Sequence, residues 1–242
     1  MLLLIIAVPA SAKSGDSCVL VGFRGDPEVD SLPEGWDHVT YLGKNENEFR
    51  LEADRGTVLQ VRSLNSVSAL LATPDVDIAE YPLLAWRWKV NRVVGMARED
   101  RRDRNDCAAR VRVVFKTPQP APTGDTLARR VLKLGGVDLG AGEPDGEKID
   151  YVWGNYLPQG TVVAYPGARD HFMIFLQSGG EKAGRWVWEQ RDVRADYERC
   201  FGGKPPDIAG LLVLTDTERT NEGVIAYFGS VVFLKREHDE TP

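Results

Sequence analysis

Tryptophan is the residue type in this 242-residue chain best placed to do chemistry: Trp36, Trp86, Trp88, Trp153, Trp186 and Trp188. An indole face stacks on the C–H face of a sugar ring while polar neighbours bond its hydroxyls, so tryptophans on an open β face make a saccharide platform. Trp86/Trp88 and Trp186/Trp188 lie two apart, which puts each pair on one face of a strand. Burial is the ordinary fate of large apolar rings. Alternation with Arg87 and Lys89 favours that fate for Trp86 and Trp88. Trp153 and Trp186, with Tyr151 and Glu189 beside them in sequence, are the aromatic half of a candidate ligand site.

The polar half starts with Arg110, which sits mid-strand opposite an apolar face and close to Asp106. A guanidinium can fork two hydrogen bonds to a carboxylate or a diol. The ordinary alternative is an outward Arg in a surface ion pair. Asp216, Glu218 and Asn221 make an oxygen-rich loop. Ca²⁺ wants roughly six to eight oxygens, and this loop offers only some, so no cofactor is expected, and these three are the ligands a Ca²⁺ ion would use.

For catalysis on a glycosidic bond the useful pair is two carboxylates across a groove. Asp150, Glu189, Asp192 and Asp196 lie next to Tyr151, Trp188 or Tyr197, where desolvation raises a carboxyl pKa. With 36 acidic residues such neighbours arise by chance. His38, His171 and His238 are scattered, and His171 reads as the edge of an apolar strand rather than a general base. G-x-S-x-G, H-E-x-x-H, P-loop and G-x-G-x-x-G motifs are all missing. No catalytic residue is assigned, and the balance leans away from an enzyme without deciding it.

The elements that must position these residues are mostly strands. Val19 to Phe23, Glu48 to Ala53, Thr57 to Ser63, Ser68 to Thr73 and Leu83 to Val90 read as strands, with Asp54-Arg55-Gly56 as a hairpin turn. Ala109, Val111, Val113 and Phe115 point one way, with Arg110 and Arg112 opposite. Phe172, Ile174 and Leu176 alternate likewise, and Ile208 to Leu214 and Val224 to Leu234 are long apolar strands. Asp192 to Phe201 is the best helix, stopped by Gly202-Gly203, and Thr126 to Leu134 a weaker one. A parallel α/β sheet would need a helix after most strands. The pattern predicts a mostly β, jelly-roll sandwich with one or two short helices.

Composition limits the function classes. The formal net charge is −6 and the pI about 5.2, which argues against nucleic acid and against an anionic membrane surface. Leu2 to Val8, then Pro9, then Ala10-Ser11-Ala12 read as a signal peptide of residues 1–12, although no Lys or Arg precedes Leu2. The expectation is a periplasmic or secreted protein without a membrane anchor. Residues 13–242 would form a single sandwich domain, with a Pro- and Gly-rich excursion at about 117–148 and a polar tail at 236–242. Cys18, Cys107 and Cys200 allow one bridge at most, their pairing is open, and the plainest reading is three small buried side chains.

The ordered series YPLLAWRWKV, NDCAARVRVVF, YVWGN, DYERCFG, PPDIAGLLVLTDTERTN and AYFGSVVF resembles a bacterial exported family, the domain of unknown function 3047 (DUF3047). The resemblance spans roughly residues 18 to 235. It implies export and a galactose-binding-like jelly roll, and it implies no activity. The family pattern has two acidic residues before its A-A-R run, where this chain has Asn105-Asp106-Cys107. It has D-x-D-N-T-G after the penultimate strand, where this chain has Asp216-Thr217-Glu218-Arg219-Thr220-Asn221. Any role those carboxylates have in relatives is in doubt here.

Three functions fit. A non-catalytic carbohydrate- or cell-envelope-binding module, with a saccharide or envelope glycan as partner, fits best. A polysaccharide-active hydrolase or lyase and a structural periplasmic interaction protein are the alternatives. Ligand identity and oligomeric state are not encoded legibly.

Overall fold

The computed structural model describes residues 18–29, 32–116 and 142–236. The signal segment, the helix expected at 126–134, most of the 117–148 excursion and the tail beyond 236 lie outside the described residues. Within them the chain forms β1 (Cys18–Val21), β2 (Asp37–Thr40), β3 (Glu48–Ala53), β4 (Thr57–Leu64), β5 (Val67–Ala72), β6 (Leu83–Val90) and β7 (Cys107–Phe115). After the gap come β8 (Lys148–Gly154), β9 (Val162–Ala164), β10 (His171–Ser178) and β11 (Val187–Asp192), then α1 (Val193–Phe201), β12 (Ile208–Asp216), β13 (Gly223–Phe228) and β14 (Val231–Leu234).

The strands form two seven-stranded sheets. Sheet A runs β1-β14-β6-β13-β4-β3, with β11 on the other edge of β6. Sheet B runs β2-β5-β12-β7-β8-β10-β9. Successive strands repeatedly cross from one sheet to the other, which makes the molecule a jelly-roll β-sandwich. Among the described pairings only β8 with β10 is parallel. The strands β2, β8 and β9 were not expected; β2 and β9 are too short to show a period.

The core lies between the sheets because strand alternation aims one face of each sheet inward. Trp86 packs edge-on to Trp88, with ring centroids 5.5 Å apart. From the facing sheet Tyr151 meets Trp86 at 5.4 Å and Trp153 meets Trp88 at 5.8 Å. All four rings are at most 1% exposed. The expected strand over Val224–Leu234 is broken at Gly229-Ser230. A Cβ at Gly229 would lie 2.6 Å from Arg87 Cγ, so the chain approaches β6 more closely there than a side chain allows. Asp192 caps α1 by accepting from Ala195 N at 3.0 Å, and Gly202 ends it at φ 75°.

All three cysteines are free. Cys107 is buried as expected, and burial pushes its thiol up to about 12. Cys18 and Cys200 are half-exposed instead, on β1 and α1 at the rim of the packing. No helix among the described residues is long and apolar enough to cross a membrane.

Candidate functional site

The site is built on β7, whose nine residues are all buried. Period-2 alternation sends Ala109, Val111, Val113 and Phe115 to the core and leaves Arg110 and Arg112 on the outer face of sheet B. That face is not open to solvent: Arg110 is 1% exposed and Arg112 5%. The outward surface ion pair expected of Arg110 is thus corrected, because apolar clusters flank the guanidiniums on both sides. Val114, Leu212 and Leu214 belong to one cluster, and Val152, Met173 and Phe175 to the other.

A buried cation needs a partner. Here it is Asp150 of β8, opposite Arg112 in register and 0% exposed. Arg112 grips Asp150 with two bonds, Nε to Oδ1 at 2.6 Å and Nη2 to Oδ2 at 2.9 Å. Its Nη1 donates to both oxygens of Glu143, at 2.8 and 2.9 Å. Glu143 also accepts from Tyr41 Oη at 3.2 Å and lies 3.9 Å from Lys148 Nζ. Burial opposes ionisation of Asp150, but Arg112, His171 and Arg110 outweigh it and hold the carboxyl well below the usual range. Burial likewise opposes the charge on Glu143, and Arg112 and Lys148 overcome it.

Arg110 is less completely engaged. Its Nη1 lies 3.1 Å from Asp150 Oδ2 and its Nη2 donates to Asn105 Oδ1 at 3.3 Å. Its Nε is buried without a partner. His171, at the start of β10, brings Nε2 to 2.9 Å from Asp150 Oδ2 but out of line for a hydrogen bond. Burial lowers the His171 pKa, so near pH 7 the ring meets the carboxylate in its neutral form. Tyr165 stacks flat on His171, with centroids 4.4 Å apart and planes 7° from parallel. It also lies 5.8 Å from the Arg110 Cζ.

Asp216 ends β12 on the far side of β7. Its carboxyl is pushed up to about 7, first by burial and then by the nearby Asp106, against the pull of Arg110. Asp106 is fully buried and accepts from the backbone of Arg219 and Thr220 and from Thr220 Oγ1, the last two at 2.7 Å. Together these groups line or underlie a pocket of about 310 Å³, with Tyr41, Lys44, Lys148, Tyr165, His171 and Arg219 on its walls and rim.

The candidates named from sequence divide. Arg110 and Asp216 come together in this pocket, with Glu218 at its edge. Trp153 and Tyr151 are in the core instead, with Trp153 Nε1 bonded to Gly179 O at 3.2 Å and Tyr151 Oη to Asp196 at 2.9 Å. Trp186 belongs to sheet A's side, bonded to Asp54 at 2.7 Å with Arg87 Cζ 4.2 Å above its ring. Glu189 on β11 accepts from Trp88 Nε1 at 3.1 Å and Gln177 Nε2 at 2.7 Å, and burial raises its pKa. Of the Ca²⁺ candidates, Glu218 is paired with Lys44 and Arg219. Asp216 Oδ1 accepts from Glu218 N at 3.2 Å, and Asn221 holds a left-handed turn at φ 56°. Among the described residues no group of three or more His, Cys, Asp or Glu is arranged to hold a metal.

Sequence reading missed Asp150, Glu143, His171 and Tyr165 as parts of one site. The i, i+2 spacing of Arg110 and Arg112 puts both on one face, but that alternation is also the pattern of a solvent-facing strand edge, so the sequence carries no signal of their burial against Asp150.

The family described as "Protein of unknown function (DUF3047)" matches residues 34–232. No curated protein matches the chain. Among solved structures, a family 11 carbohydrate-binding module from Clostridium thermocellum, in complex with a β-1,3-1,4-mixed-linked tetrasaccharide, is 11% identical. That likeness covers 91% of this chain and 99% of that one, with a TM-score of 0.43. An exo-β-agarase is 11% identical over 90% of this chain and 26% of that chain, with a TM-score of 0.35. Cellulose induced protein, Cip1, is 10% identical over 81% and 90%, with a TM-score of 0.31. Likeness at this level says nothing of a ligand.

Proposed function

Because this chain belongs to the DUF3047 family, described only as of unknown function, we propose its role from its own site: a non-catalytic saccharide-binding protein of the cell envelope, exported by the segment at residues 1–12. The observation that carries this is the pocket on the outer face of sheet B, where a stacked Tyr165–His171 wall stands beside a buried guanidinium with an unmet donor. Saccharides suit such a pocket, since their C–H faces pack on aromatic rings and their oxygens accept from fixed donors. Cations at the pocket rim, Lys44 and Arg219, add donors that reach outward.

The hydrolase or lyase alternative draws on Asp216, whose carboxyl titrates near neutrality. It needs a second carboxylate across the groove. Asp106 is sealed beneath the surface and held by Arg219 and Thr220, Asp150 is held by two arginines, Glu143 is held by Arg112, and Glu218 is paired with Lys44 and Arg219. The geometry therefore favours binding. Affinity electrophoresis against a panel of neutral and acidic polysaccharides tests the proposal. Retardation by at least one polysaccharide, weakened about tenfold or more by Tyr165→Ala, is the expected result. Migration unchanged by every polysaccharide would count against it.

A further inference from the structure

Resting on the pocket reading above, we propose that its ligand is a sugar acid, whose carboxylate seats between Arg110 and Asp216 and binds with Asp216 in its protonated form. Arg112 has all three guanidinium nitrogens engaged, by Asp150 and Glu143. Arg110 does not: it shares the single charge of Asp150 with Arg112, and its Nε has no partner. An unmet donor on a buried cation is costly and favours an anionic acceptor. Lys44, Lys148 and Arg219 also line the pocket, paired there with Glu218 and Glu143.

The remaining carboxyl at this position is Asp216. The charged and titratable groups facing it are Asp106, Cys107 and Arg110 from β7 and the turn before it, Tyr41 beyond β2, and Glu218 after β12. Asp106 already accepts from two backbone N–H groups and a hydroxyl beneath the pocket, so Asp216 is the carboxyl of the two that faces a ligand. Protonated, Asp216 is a donor beside Arg110; ionised, it repels an incoming carboxylate. Burial and Asp106 set its titration at about 7, so the coupling falls in an accessible pH range.

Isothermal titration with tetragalacturonate, and with its neutral methyl ester as control, tests this at about pH 6 and about pH 8 in two buffers of different ionisation enthalpy. The acid should bind about tenfold tighter than the ester or better. Its affinity should fall towards pH 8, where its apparent enthalpy should depend on the buffer by about one proton per ligand, whereas at about pH 6 Asp216 already carries the proton and the dependence should be small. Asp216→Asn should abolish both the pH and the buffer dependence, with its cooperative thermal unfolding checked first. Lys44→Ala, at the pocket rim, should weaken the acid by a larger factor than the ester. Equal binding of acid and ester, or a buffer-independent enthalpy in the wild type at about pH 8, overturns the sugar-acid inference and leaves the saccharide pocket standing. Failure of both ligands, together with failure of the whole polysaccharide panel, overturns the pocket reading itself.

Discussion

At the scale of residues, the site is a problem in buried charge. Asp150 is fully buried and holds two guanidiniums, so Asp150→Ala leaves Arg110 without its carboxylate and Arg112 held by Glu143 alone. Urea denaturation should show a loss of about 3–5 kcal/mol; a loss within experimental error would contradict the pairing. The two kinds of carboxyl then act on stability in opposite directions. Asp150 is held below its unfolded value of about 3.9, so its contribution is present above that pH and is lost as pH falls through the folded value. Asp216 is raised to about 7, so the folded state binds the extra proton, and its contribution is lost as pH rises from about 4 to about 7. Asp216→Asn is therefore expected to gain stability relative to wild type at about pH 8 and not at about pH 4, read from thermal midpoints. The same gain at both pH values would remove the raised titration. Arg110 could be named from sequence as a forked donor near Asp106, and Asp216 as part of an oxygen-rich loop. Asp150 could not be tied to them, because its partners come from β7 and β10 and only the sheet order makes them neighbours.

At the scale of elements, alternation was the legible signal, and it worked where strands are long. The indoles of β6 point inward as their spacing with Arg87 and Lys89 requires, whereas Trp188 on β11 is 69% exposed. Trp88→Ala should therefore cost about 3–5 kcal/mol through an unfilled core cavity, and Trp188→Ala less than about 0.5 kcal/mol, both read from denaturation midpoints. Similar losses at the two positions would contradict the assignment of faces. The helix and its boundaries were readable from Asp192 and Gly202, since capping is local chemistry. Asp192→Ala should destabilise by about 1 kcal/mol in the same assay. The break between β13 and β14 was hidden, because its cause is the close approach of Gly229 to Arg87 on another strand.

At the scale of the whole molecule, the two outer faces offer different surfaces. Sheet A carries Trp186 and Tyr227 with Arg87 and Lys89 laid over the rings, so these two rings already have partners within the chain, while Trp188 on β11 stands exposed. Sheet B carries the pocket, with an unmet donor at its floor. The tryptophans that suggest a saccharide platform are thus mostly a means of joining the sheets, and the proposed binding face is the outer face of sheet B. Mapping of backbone amide shifts on titration with tetragalacturonate or its methyl ester tests this most directly. Perturbations concentrated at residues 41–44, 110–112, 143–150, 165–171 and 214–219 are predicted for either ligand. Perturbations centred on Trp186, Trp188 and Tyr227, with the pocket silent, would contradict the account.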